Sequence, residues 1–394
     1  MTPRNEDPEV AVDGGIMSSP PWSFHNPTRI LAGRESRSRL GQEIAGRQVL
    51  AVSTTRGRSQ FESDVVLGPL AGHLSWIDSV SANPDILDIE NAVRGLSTTD
   101  FDVVVAFGGG SAMDFAKAVA SRIGARDQTF ELRALISQPE SLLTAPPVPV
   151  VALPTTAGTG SEVTPFATIW DRENKKKLSL ASPALFPAIA IVDAELTDNL
   201  PAAATFASGL DALNQAFESV WNKNRSPLTV QLASRAIALA LRALNALHED
   251  LGNKAARDQL SEASVLAGLC ISQTRTALCH SMSYPLTAHF DIPHGVACAF
   301  TMGEVLQLCV EHSPELFDVV IQHTSHHSAE DLLASVRQLL ITLSVSKQVR
   351  NSVAHLQSVV DVIPEMAAKG RADNFVLDID FAELEKIIRA AWIS

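Results

Sequence analysis

The 394-residue chain holds one tyrosine, four cysteines, and only 31 Lys and Arg against 44 Asp and Glu. Each scarcity excludes something. A net charge of −13 disfavours a nucleic-acid or anionic-membrane partner, because the field of the whole molecule repels polyanions. The cysteines (Cys270, Cys279, Cys298 and Cys309) fall in one stretch without a CxxC pair. They read as free thiols in a reducing cytosol, not as a disulfide or zinc framework. No unbroken apolar run approaches the roughly 20 residues that span a bilayer. The first twenty residues, MTPRNEDPEVAVDGGIMSSP, carry acids and lack an apolar h-region. Residues 1–21 are therefore expected to form a disordered tail, and the protein to be cytoplasmic.

What is present is ample core. With 46% hydrophobic residues, the length suggests two domains. From residue 22 to about 200, short β-branched runs alternate with helical patterns. The expected strands are Val49–Ser53, Leu74–Val80, Val103–Phe107, Val150–Leu153 and Ile189–Asp193. Helical segments at Asp85–Leu96 and Ser111–Ile123 separate them, which implies βαβ units and a parallel sheet buried on both faces. Beyond Pro201 the texture changes to Ala- and Leu-rich segments at helical period: Ala202–Asn222, Leu228–Leu247, Ala255–Thr276, Ala329–Leu343 and Phe381–Trp392. The expectation is an α/β domain over 22–200 and an all-helical domain over 201–394.

Two glycine-bearing loops follow expected strands. Val103–Phe107 runs into Gly108-Gly109-Gly110-Ser111 and then the helical AMDFAKAVA. Glycines between a strand and a helix start let backbone N–H groups approach a phosphate, where the helix dipole favours negative charge. This is not the GxGxxG fingerprint, and alone it fits a tight structural turn as well. The second loop, Pro154 to Glu162 (PTTAGTGSE), also follows a strand. Two such loops at the carboxyl ends of parallel strands lie where open α/β sheets bind ligands. Lys175, Lys176 and Lys177 offer a cation to a phosphate or ribose, or simply a solvated face.

Asp211 and Gln215 stand four apart in SGLDALNQAFE, so both project from one helix face. His280 and Tyr284 repeat that spacing in CHSMSYP, and His294 follows Pro293 at a helix start. A carboxylate, an amide oxygen and two imidazoles suit a divalent cation such as Fe²⁺ or Zn²⁺, although polar pairs at this spacing are common without one.

GGGSAMDFAK, LPTTAGTGSEVT, KKKLSLASPALFPAIAIVD, SGLDALNQAFE and two histidines spaced as H-x13-HG occur here in one order. In that order they resemble the iron-containing (group III) alcohol dehydrogenases, over residues 24 to 308. The resemblance implies a dinucleotide-binding α/β domain followed by a helical metal-binding domain, with NAD(P)H and Fe²⁺ or Zn²⁺ as cofactors. It assigns the cofactor to Gly109, Gly110, Ser111, Asp114, Thr155, Thr156, Thr159 and Lys177, with Lys177 reaching the ribose. It assigns the metal to Asp211, His280 and His294, with Gln215 where the family places a histidine. Tyr284 likewise replaces a frequent histidine, leaving its hydroxyl or a water chain to protonate the product alkoxide. The stretches HSMSYPLTAHFDIPHG and ESVWNKNRSP are similar to the branch that reduces phosphonoacetaldehyde to 2-hydroxyethylphosphonate. A small aldehyde bearing a phosphonate is thus the expected partner, with a homo-oligomer possible. Arg275, five residues before His280, is the expected phosphonate contact, since its fork suits phosphonate oxygens. Lys223 and Arg225 are the alternatives. A lyase of the dehydroquinate-synthase type is the rival enzyme class.

Overall fold

A computed structural model describes residues 21–97, 100–125, 131–174, 176–367 and 370–393. The expected disordered tail lies, but for Pro21, outside the described residues. Six parallel strands form one sheet: β1 (Arg29–Ala32), β2 (Val49–Val52), β3 (Ser75–Ile77), β4 (Val103–Gly108), β5 (Val150–Pro154) and β8 (Ile189–Val192). Their order is β1-β8-β5-β4-β2-β3. All residues of β2, β4, β5 and β8 are buried, as expected for a parallel sheet with both faces covered. The strand order reverses between β2 and β4, so the crevice for a ligand opens at the carboxyl ends of those two strands.

The five expected strands are all present. Two further elements were not expected. β1 is a half-exposed edge strand that, among the described residues, pairs with β8 alone, and four residues leave little pattern to read. β6 (Phe166–Asp171) and β7 (Lys176–Ala181) form an antiparallel hairpin outside the main sheet. Lys177 pairs with Trp170 in that hairpin.

After β8 the chain is helical. The helices Ala202–Val220, Pro227–Glu249 and Lys254–Thr274 pack on one another, and His294–His312 lies against the first of them. Local sequence fixes where they start. Ser226 and Thr229 form a reciprocal capping box with Pro227 at the first helical position, and the Asn253 side chain accepts from Ala256 N. The Pro227–Glu249 helix has the length and hydropathy of a membrane span, but 61% of that window is buried inside the protein. It is a core helix of the bundle.

The helix Leu278–Phe290 runs through Pro285. A proline there removes one helical hydrogen bond. Burial of Leu278, Met282 and Leu286 in the helical core compensates by tertiary packing. All four cysteines are free and buried.

Candidate metal and cofactor site

The site is built where the two halves of the chain meet. A cavity of about 450 Å³ is lined on one side by Gly110, Ser111, Asp114 and Thr159, and on the other by Asp211, Gln215, His280 and His294. Arg275 and Lys177 line it as well.

On the α/β side, the helix Gly110–Gly124 begins without a side-chain cap, so its first N–H groups face the crevice unclaimed by a capping side chain. A Cβ on Gly110 would lie 2.6 Å from Thr159 Cγ2, so only glycine lets the two loops approach this closely. Ser111 Oγ accepts from Asn83 N at 3.3 Å. Both Asp114 oxygens already have partners: Oδ1 accepts from Ser161 Oγ at 2.7 Å, and Oδ2 from Thr168 N at 2.8 Å. Of the three loop threonines, Thr159 lines the cavity. Thr155 N donates to Gly108 O, and Thr156 packs against Gly109. These two brace the glycine loop from behind.

On the helical side, Asp211 and Gln215 project from the Ala202–Val220 helix, His280 from Leu278–Phe290, and His294 from the first position of His294–His312. Gly295 makes this possible, because a Cβ there would collide with the Ala207 carbonyl oxygen. The HG pair therefore couples a candidate ligand to a glycine that lets its helix sit against the Asp211 helix. The ligand atoms of Asp211, His280, His294 and Cys298 all lie within 4.8 Å of one another. The His280 and His294 ring centroids are 5.3 Å apart.

Whether these residues suit a cation is decided by their unpaired atoms. Asp211 Oδ1 and Gln215 Oε1 are buried without a hydrogen bond. His280 Nε2 sits 3.2 Å from Asp211 Oδ1, but not in hydrogen-bond geometry. Gln215 Nε2 donates to Thr159 O at 3.4 Å, which leaves the amide oxygen free. Buried acceptors without donors are costly unless something electropositive meets them. The donor set therefore fits a divalent metal.

Two residues of this cluster escaped the sequence reading. Glu218, fully buried, lies 2.8 Å from His280 Nδ1 and also accepts from Ala277 N and His280 N. That contact fixes the tautomer and leaves Nε2 to face the cluster, the usual carboxylate support for a metal-binding histidine. Its signal was available: Glu218 is seven residues after Asp211, on the same helix face. Cys298, one turn after His294, places Sγ 3.8 Å from His294 Nε2. Burial pushes that thiol up, but His280 and His294 outweigh it and bring it down to about 7. A soft donor is thus added to the set.

Tyr284 does not line the cavity. Its ring lies 3.8 Å from Lys177 Nζ and 4.7 Å from the Arg371 guanidinium, and its hydroxyl is buried with no partner among the described residues. Lys223 is near Asp378 at 3.6 Å and Arg225 donates to Asn222 O. Neither alternative to Arg275 lines the cavity.

This geometry agrees with what the chain resembles. Residues 27–194 match the model of the iron-containing alcohol dehydrogenases, and residues 205–389 match the C-terminal model of the same family. A phosphonoacetaldehyde reductase from Streptomyces viridochromogenes is 40% identical over 216 residues, 54% of this chain and 55% of that protein. The chain thus matches a little over half the length of that relative. An NADPH-dependent butanol dehydrogenase from Clostridium saccharobutylicum is 30% identical over 87% of this chain and 91% of its own. Among solved structures, the sulfoacetaldehyde reductase of Bifidobacterium kashiwanohense in complex with NAD⁺ superimposes with a TM-score of 0.82. It is 25% identical, over 95% of this chain and 99% of that one. The chain belongs to the iron-containing alcohol dehydrogenase family.

Proposed function

We propose that the chain reduces phosphonoacetaldehyde to 2-hydroxyethylphosphonate with NAD(P)H, in phosphonate natural-product biosynthesis. Asp211, Gln215, His280 and His294 would hold the metal. Fe²⁺ or Zn²⁺ there supplies Lewis-acid polarisation of a carbonyl oxygen, typically worth several kcal/mol, while a reduced nicotinamide supplies the hydride.

The chain's own residues do the rest. Gly109, Gly110 and Ser111 receive the cofactor pyrophosphate at an uncapped helix start. Thr159 lines the nicotinamide side of the crevice, with Thr155 and Thr156 holding its loop. The Thr159 carbonyl also orients Gln215, so the cofactor loop and a metal ligand are set by one contact. Glu218 keeps His280 in the tautomer that presents Nε2. Of the two proton routes, burial of the Tyr284 hydroxyl away from the cavity favours water. Thr287 lines the cavity with an unpaired hydroxyl and can pass such a proton on.

The observation that carries the substrate is Arg275. It lines the metal cavity, and its guanidinium makes no ion pair or hydrogen bond among the described residues. Its backbone adopts φ 61°, ψ −180°, a region that is essentially glycine-only and costs on the order of 1–3 kcal/mol. The carbonyl is held there by Asn222 Nδ2 and Thr274 Oγ1. An unpaired arginine kept in such a conformation beside a metal cluster suits an anionic group on the aldehyde. The name of the 40%-identical relative points to the same chemistry.

The test is steady-state kinetics on phosphonoacetaldehyde and propanal, with NADH and with NADPH, under anaerobic Fe²⁺ and under Zn²⁺. The expected kcat/KM ratio favours phosphonoacetaldehyde at least tenfold, about 1.4 kcal/mol of transition-state binding. A ratio near one would remove the phosphonate from the assignment.

A further inference from the structure

The sequence singled out Arg275, but the cavity holds two more cations. Lys177 reaches it from the β6–β7 hairpin, and Arg371 from the irregular segment before the final helix. All three belong to a protein whose net charge is −13, so their convergence is not a reflection of a basic surface. Arg371 is only part-exposed, and its guanidinium makes no ion pair or hydrogen bond among the described residues. Its contact is the face of Tyr284, at 4.7 Å. Lys177 Nζ stands over the same ring at 3.8 Å.

Like charges gathered this way repel. Burial brings Arg371 down to about 10, with Glu218 opposing and Arg275 adding to the fall. Burial and then Arg371 bring Lys177 down to about 7. An aromatic face returns only part of this, about 0.5–2 kcal/mol per cation. Groups left unpaired and partly desolvated in one cavity call for an anion that all of them can reach. The fold also pins Arg371 in place. Asn374, three residues on, donates from Nδ2 to Thr276 O at 2.8 Å and accepts from Lys223 N at 2.7 Å. The Arg371 segment is thereby fastened to the turn that carries Arg275.

We propose that Arg371 and Arg275, with Lys177 from the β6–β7 hairpin, form the subsite for the anionic head group of the aldehyde, and that the Tyr284 ring, behind the cavity wall, holds Lys177 and Arg371 in position. The proposal rests on reading the metal cavity as the site of aldehyde reduction. It assigns Tyr284 a positioning role through its ring. A doubly charged phosphonate is held in preference to a singly charged sulfonate, because two guanidiniums face it and its second charge favours the protonated form of Lys177.

The experiment compares wild type, Arg371→Ala and Arg371→Lys as metal-loaded enzymes. One arm measures kcat/KM for phosphonoacetaldehyde, sulfoacetaldehyde and propanal. The other titrates methylphosphonate calorimetrically into the enzyme with NADPH present. Arg371→Ala is expected to lower the phosphonoacetaldehyde-to-propanal ratio at least tenfold and to weaken methylphosphonate binding by a similar factor, with Arg371→Lys recovering part of both. Tyr284→Phe, which keeps the ring, is expected to retain the selectivity that Tyr284→Ala loses. Equal losses on all three aldehydes, with methylphosphonate binding unchanged, would overturn the subsite. The calorimetric arm separates this claim from the substrate assignment. If phosphonoacetaldehyde is no better than propanal but methylphosphonate binds and the binding needs Arg371, the subsite stands and its aldehyde is another.

Discussion

At the scale of single residues, Arg275 combines its proposed role at the substrate with backbone strain, and that makes a prediction with two signs. Arg275→Gly removes the penalty of φ 61° but adds the chain entropy of glycine in the unfolded state, roughly 0.4–1 kcal/mol. The net expectation is a gain of about 1 kcal/mol in stability, read as a shift in the denaturant midpoint, together with a lower phosphonoacetaldehyde-to-propanal ratio. A destabilised variant would mean that the arginine braces the fold. Cofactor choice is also a residue-scale matter. Dinucleotide folds that prefer NAD commonly place an acid at the end of the second strand, against the ribose 2′-OH. Here β2 is followed by Ser53, Thr54 and Thr55, and then by Arg56 and Arg58 in the next helix. Ser53 Oγ donates to Phe107 O, Thr54 caps the next helix, and Arg58 pairs with Glu62 and Asp78. Arg56 is exposed and has no acid beside it in sequence. NADPH is therefore expected to be accepted, and a kcat/KM for NADH a hundredfold above that for NADPH would contradict this reading.

At the scale of elements, the candidate metal cluster depends on how closely two helices approach. Gly295→Ala would drive a methyl into the Ala207 carbonyl, so the His294–His312 helix must move away from Asp211. The expected result is a lower melting temperature and reduced metal content, whereas an overpacked site elsewhere would lose stability alone, typically 1–3 kcal/mol. Metal content equal to wild type would show that the close approach does not set the ligand geometry. What the sequence disclosed follows the same logic. Strands buried on both faces, such as Val103–Gly108, show as unbroken apolar runs, and long amphipathic helices as a helical period. Asp211, Gln215, His280 and His294 were visible because of their spacing and order. The β6–β7 hairpin, the helix through Pro285 and the Arg371 segment were not visible, because tertiary packing holds them and no local pattern does. Cys298 read as one of four free thiols, and only the fold distinguishes it, by bringing its Sγ to 3.8 Å from His294 Nε2.

At the scale of the whole molecule, a strongly acidic chain encloses, among its described residues, a cavity where cations and candidate metal ligands converge between an α/β half and a helical half. That division places the glycine loops and the candidate metal cluster on opposite walls, the arrangement that the proposed hydride transfer to a polarised carbonyl would use. The central claim is that turnover needs a metal held by Asp211, Gln215, His280 and His294 and consumes the nicotinamide. The most direct test is to strip the protein with a chelator, titrate Fe²⁺ back anaerobically, and follow NADPH consumption with phosphonoacetaldehyde in wild type, Gln215→Ala and His280→Ala. The account predicts no activity in stripped protein and recovery that saturates at one Fe²⁺ per chain. It predicts one NADPH consumed per aldehyde, weaker Fe²⁺ affinity in Gln215→Ala, and no recovery in His280→Ala. Turnover without metal, or substrate conversion with no net loss of NADPH, would contradict it.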